Sequence, residues 1–451
     1  VGGAYGPYYQ SERLDRYSAA VQQLLDKGLA YWDYSKAEER AKEKEAAKTE
    51  KRPYVYSRRW MAGTPADRAR FEAEGRTAAV CLTMPREGVC TFRDHIRGVM
   101  EFTWASEDDH AIARADGSPL YNLASVVDDH DMKITHVIRA EEHLSNTPRQ
   151  IFIAQGLGYA LPEYAHVPFV AEPGSKNKLS KRKIPQYLKN PDFKKVYEHG
   201  RAIAEAIGHH TSADTFNPVI VDFYREVGYL PDAILNYLVL LGWSLDDKTE
   251  EFSRDEMIRA FSLDRVNTSA ASFDPKKLFA FQERYMQRLP LEQKTAMCLP
   301  YLQKAGLVPD PAPVEQRQKV TAVIGAANER IKVAGDVLDY RDFFVADEAL
   351  SYDEAAFEKQ LRKPADAAAL LRKLRDRLAA APAFDPRSLE ALMNDFLQAE
   401  KIQLRQVQQA LRVALTGKGV GFGLYETLAI LGKDSSLRRI DQALARLAQA
   451  G

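Results

Sequence analysis

A nine-residue run, Ser175-Lys176-Asn177-Lys178-Leu179-Ser180-Lys181-Arg182-Lys183, carries five cationic side chains separated by small polar residues. Such a loop can fold around a polyphosphate. Its ammonium and guanidinium groups match the charge, while Ser180 and backbone N–H groups supply oriented donors. The competing reading is an ordinary solvated basic surface. A second set of polar side chains lies upstream, in Tyr121-Asn122-Leu123-Ala124-Ser125 and in Val137-Ile138-Arg139-Ala140-Glu141-Glu142-His143. Tyr121 and Ser125 are four apart and share one face of a helix. Arg139 ends a short apolar run, and ligands in open α/β sheets bind just beyond the carboxyl ends of strands. There it can grip a carboxylate through two parallel charge-assisted hydrogen bonds, each worth roughly 1.5–3 kcal/mol. Alternatively Arg139 pairs internally with Asp128 or Asp129, and Asp128-Asp129-His130 is a helix cap.

The surrounding pattern indicates which elements hold these groups. Ser11 reads as the N-cap of a helix running toward Lys27, with Leu14, Tyr17, Val21, Leu24 and Leu25 at helical spacing. Residues 36–51 form a Lys/Glu/Ala run, read as a solvated helix or arm. From Thr77 to Phe102 short β-type pieces such as Ala79–Met84 are punctuated by Pro85, Gly88 and Gly98. Residues 117–170 alternate helical segments with the apolar runs Ala124–Val127, Thr135–Ile138 and His166–Val170, the pattern of an α/β sheet with buried strands. After about Tyr187 strand signals fade and proline-separated helices follow. The last, 435–449, places Leu437, Ile440, Leu444 and Leu447 on one stripe, with Arg438, Arg439 and Arg446 off it.

Composition narrows the class. A chain of 451 residues exceeds one core and implies two to four domains. Apolar content of 45% with 28% charged residues is that of a soluble globular protein. The longest apolar stretch, Ala233–Trp243, is interrupted by Asn236 and is too short for a bilayer. No basic segment followed by an apolar one opens the chain, which reads as cytoplasmic. Cys81, Cys90 and Cys298 make no metal or disulfide pattern and read as neutral thiols. The 63 basic and 63 acidic residues balance, so nucleic-acid binding would need a local basic face.

The basic loop resembles the KMSKS loop of class I aminoacyl-tRNA synthetases, with Leu179 in place of Met and Arg182 in place of the final Ser. Together with Gly6-Pro7-Tyr8-Tyr9-Gln10-Ser11-Glu12-Arg13, Tyr121–Asp129 and Val137–Glu142, it resembles bacterial glutamyl-tRNA synthetase over the whole chain. Gly228-Tyr229-Leu230-Pro231, Leu241-Gly242-Trp243, Leu411–Gly417 and Leu431-Gly432-Lys433 continue the ordered match. The implied fold is α/β plus all-α. It comprises a partial Rossmann-type catalytic domain with an inserted acceptor-binding subdomain, then helical stem-contact and anticodon-binding domains. Expected boundaries are 1–120 for the end of the first Rossmann half with the insertion, 121–183 for the second half with the basic loop, 184–285 for the stem-contact domain, and 286–451 for the anticodon domain.

The resemblance assigns glutamate binding to Tyr121, Ser125 and Arg139, and the ATP pocket to Glu142, His143, Val170, Lys178, Ser180 and Lys181. Lys178, Lys181 and Arg182 would stabilise the charge that develops as pyrophosphate leaves. Arg330, Arg412 and Leu424 match anticodon-reading positions. The implied substrates are L-glutamate, ATP with Mg²⁺, and tRNA-Glu, the enzyme acting as a monomer. A non-catalytic tRNA-binding remnant, or an enzyme that also charges tRNA-Gln, is the alternative.

Three departures qualify the match. Ser125 stands where relatives often carry Asn. The family's HIGH-type motif lies upstream of the Gly-Pro-Tyr-Tyr-Gln block and has no counterpart here, so this chain alone is expected not to form the adenylate. Residues 184–218, with His199, His209 and His210, form an extra stretch read as surface rather than as a metal site. Some relatives bind zinc through cysteines where this chain reads Tyr31-Trp32-Asp33-Tyr34-Ser35, so no zinc is expected.

Overall fold

The computed structural model describes residues 2–52 and 54–449. The chain divides into two compact units. The first comprises 1–178, 239–250 and 255–272, and the second comprises 179–238, 251–254 and 273–451.

The first unit is built on two four-stranded sheets. One has the order β2-β1-β3-β6, from Met61–Ala62 (β2), Ala30–Asp33 (β1), Ala79–Leu82 (β3) and Ala111–Ala113 (β6). Every pairing in it is antiparallel. The other has the order β5-β4-β8-β7, from Gly98–Thr103 (β5), Val89–Asp94 (β4), Glu163–Val167 (β8) and His136–Ala140 (β7). Here β4 and β5 form a hairpin, while β8 runs parallel to both β4 and β7. Parallel strands need a crossover, and Thr147–Leu157 (α5) supplies it between β7 and β8. Left-handed Gly158, at φ 75°, ends that helix.

Three helices, Leu14–Asp26 (α1), Tyr121–Asp131 (α4) and α5, close the main core. Tyr17, Ala20 and Leu24 of α1 pack with Leu123, Val126 and Val127 of α4, Ile153 and Leu157 of α5, and Val80 and Leu82 of β3. Fully burying each large side chain contributes about 1.5–3 kcal/mol. A Cβ at Gly156 would lie 2.8 Å from Leu29 and 2.9 Å from Leu24, so glycine there lets α1 and α5 approach closely.

Several expectations change. Ser11 lies within a 3-10 turn, Gln10–Glu12, and Arg13 occupies the N-cap of α1. Ala124–Val127 is not a strand but the buried middle of α4, because its apolar residues continue a helical stripe. The run from His166 leaves the sheet after Val167, where Pro168 cannot donate to a ladder. Residues 36–51 do form a helix, Ala37–Thr49, with only Ala47 buried.

The second unit is helical. Asn190, Asp274 and Asp385 cap helices Pro191–Ala206, Pro275–Arg288 and Pro386–Glu400 with side-chain oxygens, each followed by Pro in the first turn. The last helix, Lys433–Gln449, buries Ile440 as expected, but it also buries Arg439, 1% exposed. That guanidinium donates to Asp347 Oδ1 at 2.6 Å and to the carbonyls of Asp342 at 2.9 Å and Leu415 at 2.8 Å. The partners compensate its desolvation, which hydropathy patterning along one helix does not reveal.

Candidate active site

Arg139 lies on β7 in register with His166 of β8. Its Nε donates to His166 Nε2 at 3.1 Å and its Nη2 donates to Thr147 Oγ1 at 2.9 Å. His166 is fully buried, and its Nδ1 lies 2.6 Å from Asp94 Oδ2. Burial holds the His166 pKa below its ordinary value despite the neighbouring carboxylate. The neutral ring therefore donates from Nδ1 to Asp94 and keeps its Nε2 lone pair for Arg139. Burial pulls Asp94 upward, but the His166 hydrogen bond and the backbone N–H groups of Arg97, Ile96 and His166 leave its carboxyl below the usual range. Asp94, His166 and Arg139 thus form a continuous hydrogen-bonded chain. Arg139 itself is only half-buried, and its two internal bonds leave the Nη1 edge of the fork for another acceptor.

The internal ion pair considered for Arg139 is not formed with Asp128. That carboxylate accepts from Arg13 Nε at 2.7 Å, Tyr17 Oη at 2.7 Å and Gln10 Nε2 at 2.9 Å. Asp128 therefore ties the N-terminal Gly-Pro-Tyr-Tyr-Gln-Ser-Glu-Arg segment to α4, with Arg13 reaching Asp131 as well. Burial raises the Asp129 pKa, opposed by the positive field of Arg139.

Tyr121 opens α4 and is 52% exposed, its ring 6.0 Å from that of His143. Ser125 Oγ donates to the Tyr121 carbonyl at 2.8 Å and accepts from Gln150 Nε2 at 3.0 Å. The Ser125 hydroxyl is thus engaged by its own helix and by α5.

Beyond β7, Glu142 forms an ion pair with Lys178, and His143 Nε2 lies 3.8 Å from Glu142. Lys178 holds the Glu142 carboxyl below its ordinary pKa. A bridge between Ala171 and Lys178, with Glu172 N–H donating to the Asn177 carbonyl at 2.8 Å, folds 171–178 back on itself. Half-buried Val170 precedes that bridge. Glu142, His143 and Lys178 are therefore neighbours, and Tyr121 joins them through His143.

The rest of the basic loop belongs to the second unit. Ser180 caps a 3-10 turn, Lys181–Lys183, accepting from the Arg182 N–H, and its own N–H donates to Tyr187 Oη at 3.1 Å. Lys181 and Arg182 are exposed.

Elsewhere in the second unit, Arg330 and Arg412 converge on one loop. Arg330 Nη1 donates to the Gly421 carbonyl at 3.2 Å, and Arg412 donates to the carbonyl of Phe422. Arg412 is 7% exposed, and burial together with Arg330 lowers its pKa. Tyr340 stacks on Phe422 with centroids 4.6 Å apart. Arg330, Tyr340, Lys418 and Phe422 line a cavity of about 460 Å³. Leu424 is 4% exposed.

Sequence reasoning missed Asp94, Thr147 and His166. His166 opens an apolar run that masks it, and no local pattern marks the other two. The three thiols are free, buried and neutral, burial raising Cys81 and Cys298 to about 12 and Cys90 to about 11.

The family "tRNA synthetases class I (E and Q), catalytic domain" matches residues 2–207 and 193–280, and "anticodon binding domain" matches 293–444. The chain is 39% identical to a glutamate–tRNA ligase of Moorella thermoacetica over 442 residues, covering 98% of this chain and 83% of the relative. It is 37% identical to that of Streptomyces avermitilis over 452 residues, covering 99% and 82%. A crystal structure of a glutamate tRNA ligase from Elizabethkingia meningosepticum in complex with its amino acid superposes with a TM-score of 0.77 at 27% identity, covering 99% of this chain and 85% of that one. Residues 2–280, the α/β part with the first helices after it, are accordingly a class I catalytic domain and 293–444 a helical anticodon domain, and the chain belongs to the class I tRNA synthetases (E and Q), within the glutamate–tRNA ligase family.

Proposed function

We propose that in the ATP-dependent ligation of glutamate to tRNA, Arg139 grips the side-chain carboxylate of the amino acid. The supporting observation is its guanidinium, held by His166 and Thr147 with one edge left over. A guanidinium suits the carboxylate that does not react, because the reacting one gives up its charge on bonding to phosphorus. It also separates glutamate from glutamine, whose neutral amide would leave the charge unmatched. Tyr121 and Ser125 would line the same subsite.

The chemistry needs no side-chain nucleophile. The glutamate α-carboxylate oxygen attacks the α-phosphorus of ATP, and the bond to the bridging oxygen of pyrophosphate breaks. A terminal ribose hydroxyl of tRNA then attacks the carbonyl carbon of the adenylate, the bond from that carbon to the phosphate oxygen breaks, and the hydroxyl proton passes to the departing AMP phosphate. Positioning and electrostatics carry both steps. Glu142, His143 and Val170 would line the nucleotide site, with Glu142 holding Lys178 ready for phosphate. Ser180, Lys181 and Arg182 would meet the departing pyrophosphate, and Mg²⁺ would enter as its counter-ion.

Arg330, Arg412 and Leu424 would face the anticodon around the Gly421–Phe422 loop. The domain division 1–120, 121–183, 184–285 and 286–451, a monomeric state and a cytoplasmic site complete the proposal. No helix of the described residues is long and apolar enough to cross a membrane. At Tyr31–Ser35 the only carboxylate, Asp33, is bonded to Arg40 and Tyr56, which supports the absence of zinc there. Charging of tRNA-Glu with labelled glutamate and ATP by the full-length gene product tests the function. Its failure with intact tRNA and folded protein would contradict it.

A further inference from the structure

Three adjacent strands of the β5-β4-β8-β7 sheet bring His95, His136 and Glu163 to one level at its edge. His136 and Glu163 open β7 and β8 and are register partners, so their Cβ atoms leave the same side of the sheet. His95 directly follows β4, and its N–H donates to the Tyr164 carbonyl at 2.8 Å, which fixes it beside Glu163. One ligand atom from each residue lies within 4.8 Å of the other two. His136 Nε2 is 3.6 Å from Glu163 Oε2, and His95 Nε2 is hydrogen-bonded to the same oxygen.

We propose that these three side chains form a binding site for a borderline divalent transition ion such as Zn²⁺, with solvent completing the coordination. Two ligands on a tetrahedral zinc ion stand roughly 3.4 Å apart, given bond lengths near 2.0–2.2 Å, and the separations here reach that with small side-chain rotations. Two imidazoles and a carboxylate suit zinc better than magnesium or calcium, which take oxygen donors. The second shell is present too. Nδ1 of His136 lies 2.9 Å from Thr135 Oγ1, which orients the ring and turns Nε2 toward the site. The imidazole edges and the carboxylate remain open to solvent, their side chains 31%, 44% and 60% exposed, so an ion can enter and keep water ligands. The positive charge of Arg93 also acts on Glu163 and opposes occupancy. No spacing motif marks the site, because strand pairing assembles it from three separate segments. Arg139 lies three positions beyond His136 on β7, so a bound ion would pin the two strands that carry Arg139 and His166.

Equilibrium dialysis against Zn²⁺ alone, with the full-length gene product, tests the site. The expected result is one equivalent bound in the micromolar range, weakened at least tenfold in each of His95→Ala, His136→Ala and Glu163→Gln. The His209→Ala/His210→Ala double variant should bind like the parent. Zn²⁺ should also raise the thermal midpoint of the parent and not of His136→Ala. These groups are surface residues, so the unliganded variants should melt with the parent. Stoichiometry well below one, or binding that survives His95→Ala and His136→Ala, would overturn the proposal.

Discussion

Nε of Arg139 donates to Nε2 of His166 at 3.1 Å, and with the Nη2 bond to Thr147 this sets which way the guanidinium faces. A protonated imidazole could not accept it, so the geometry requires His166 neutral. Asp94, buried on the other side of the ring, enforces the tautomer. The carboxylate–imidazole pair thus positions an arginine and itself passes no proton.

His166→Ala should therefore raise the KM for glutamate at least tenfold while leaving the KM for ATP within about twofold, as expected for loss of roughly 1.5 kcal/mol at one subsite. His166→Gln, whose side-chain carbonyl can accept from Arg139, should recover part of the loss. Glutamate-dependent pyrophosphate exchange reads both constants. Equal rises in the two KM values would point to a general structural defect instead.

Glu142 and Lys178 make an exposed ion pair, and such pairs add about 0–1 kcal/mol to stability. Glu142→Gln should leave the urea midpoint nearly unchanged yet alter the KM for ATP, since it frees Lys178. A change in stability without a change in ATP kinetics would make the pair structural.

Arg439 and Asp347 form a buried pair, 1% and 8% exposed, whose other donors and acceptors are met by backbone carbonyls, Ser435 and Arg438. Burial pulls Asp347 upward, yet Ser435, Arg439 and Arg438 hold its carboxyl below the usual range. Arg439→Ala strands that carboxylate and should cost about 3–5 kcal/mol in chemical unfolding, whereas Arg438→Ala, at an exposed position, should cost under about 1 kcal/mol.

Two histidines give opposite pH signatures. The pKa of His166 is lowered by burial, so its stability contribution is full above the ordinary value of 6.5 and declines as pH falls below it. The pKa of His199 is raised by its 2.7 Å bond to Asp336, so its contribution is full below 6.5 and is lost as pH rises through the higher folded value. Unfolding free energies measured across pH 5–8 should lose their high-pH decline in His199→Gln and their low-pH decline in His166→Gln.

Gly417 has φ +73°, and a Cβ there would lie 2.0 Å from the Ser351 carbonyl oxygen. Gly417→Ala should destabilise the second unit by on the order of 2 kcal/mol or more, since backbone cannot move aside as a side chain can. The melting transition checks it.

What could be read in the sequence was local. Arg139 at a strand end, Tyr121 and Ser125 on one helix, and the basic loop each follow from spacing within a few residues. What holds them was not local. His166 is 27 residues from Arg139 and Asp94 is 72 from His166, partners that only strand pairing brings together. Arg439 lies off the apolar stripe of the last helix, so periodicity alone gives it no buried place. Asp347, 92 residues away, makes its burial tolerable. His199, read as surface, is likewise claimed by Asp336 at a separation of 137 residues. The Ser125 hydroxyl is also bonded to Gln150, 25 residues away on another helix, a contact that spacing along its own helix does not show.

The most direct test of the account is the glutamate dependence of pyrophosphate exchange in Arg139→Gln, made in the full-length gene product and checked for native melting. Loss of the guanidinium should raise the KM for glutamate at least tenfold, keep the KM for ATP within about twofold, and narrow the preference for glutamate over glutamine. An unchanged KM for glutamate in a folded variant would contradict the assignment of Arg139 as the carboxylate grip.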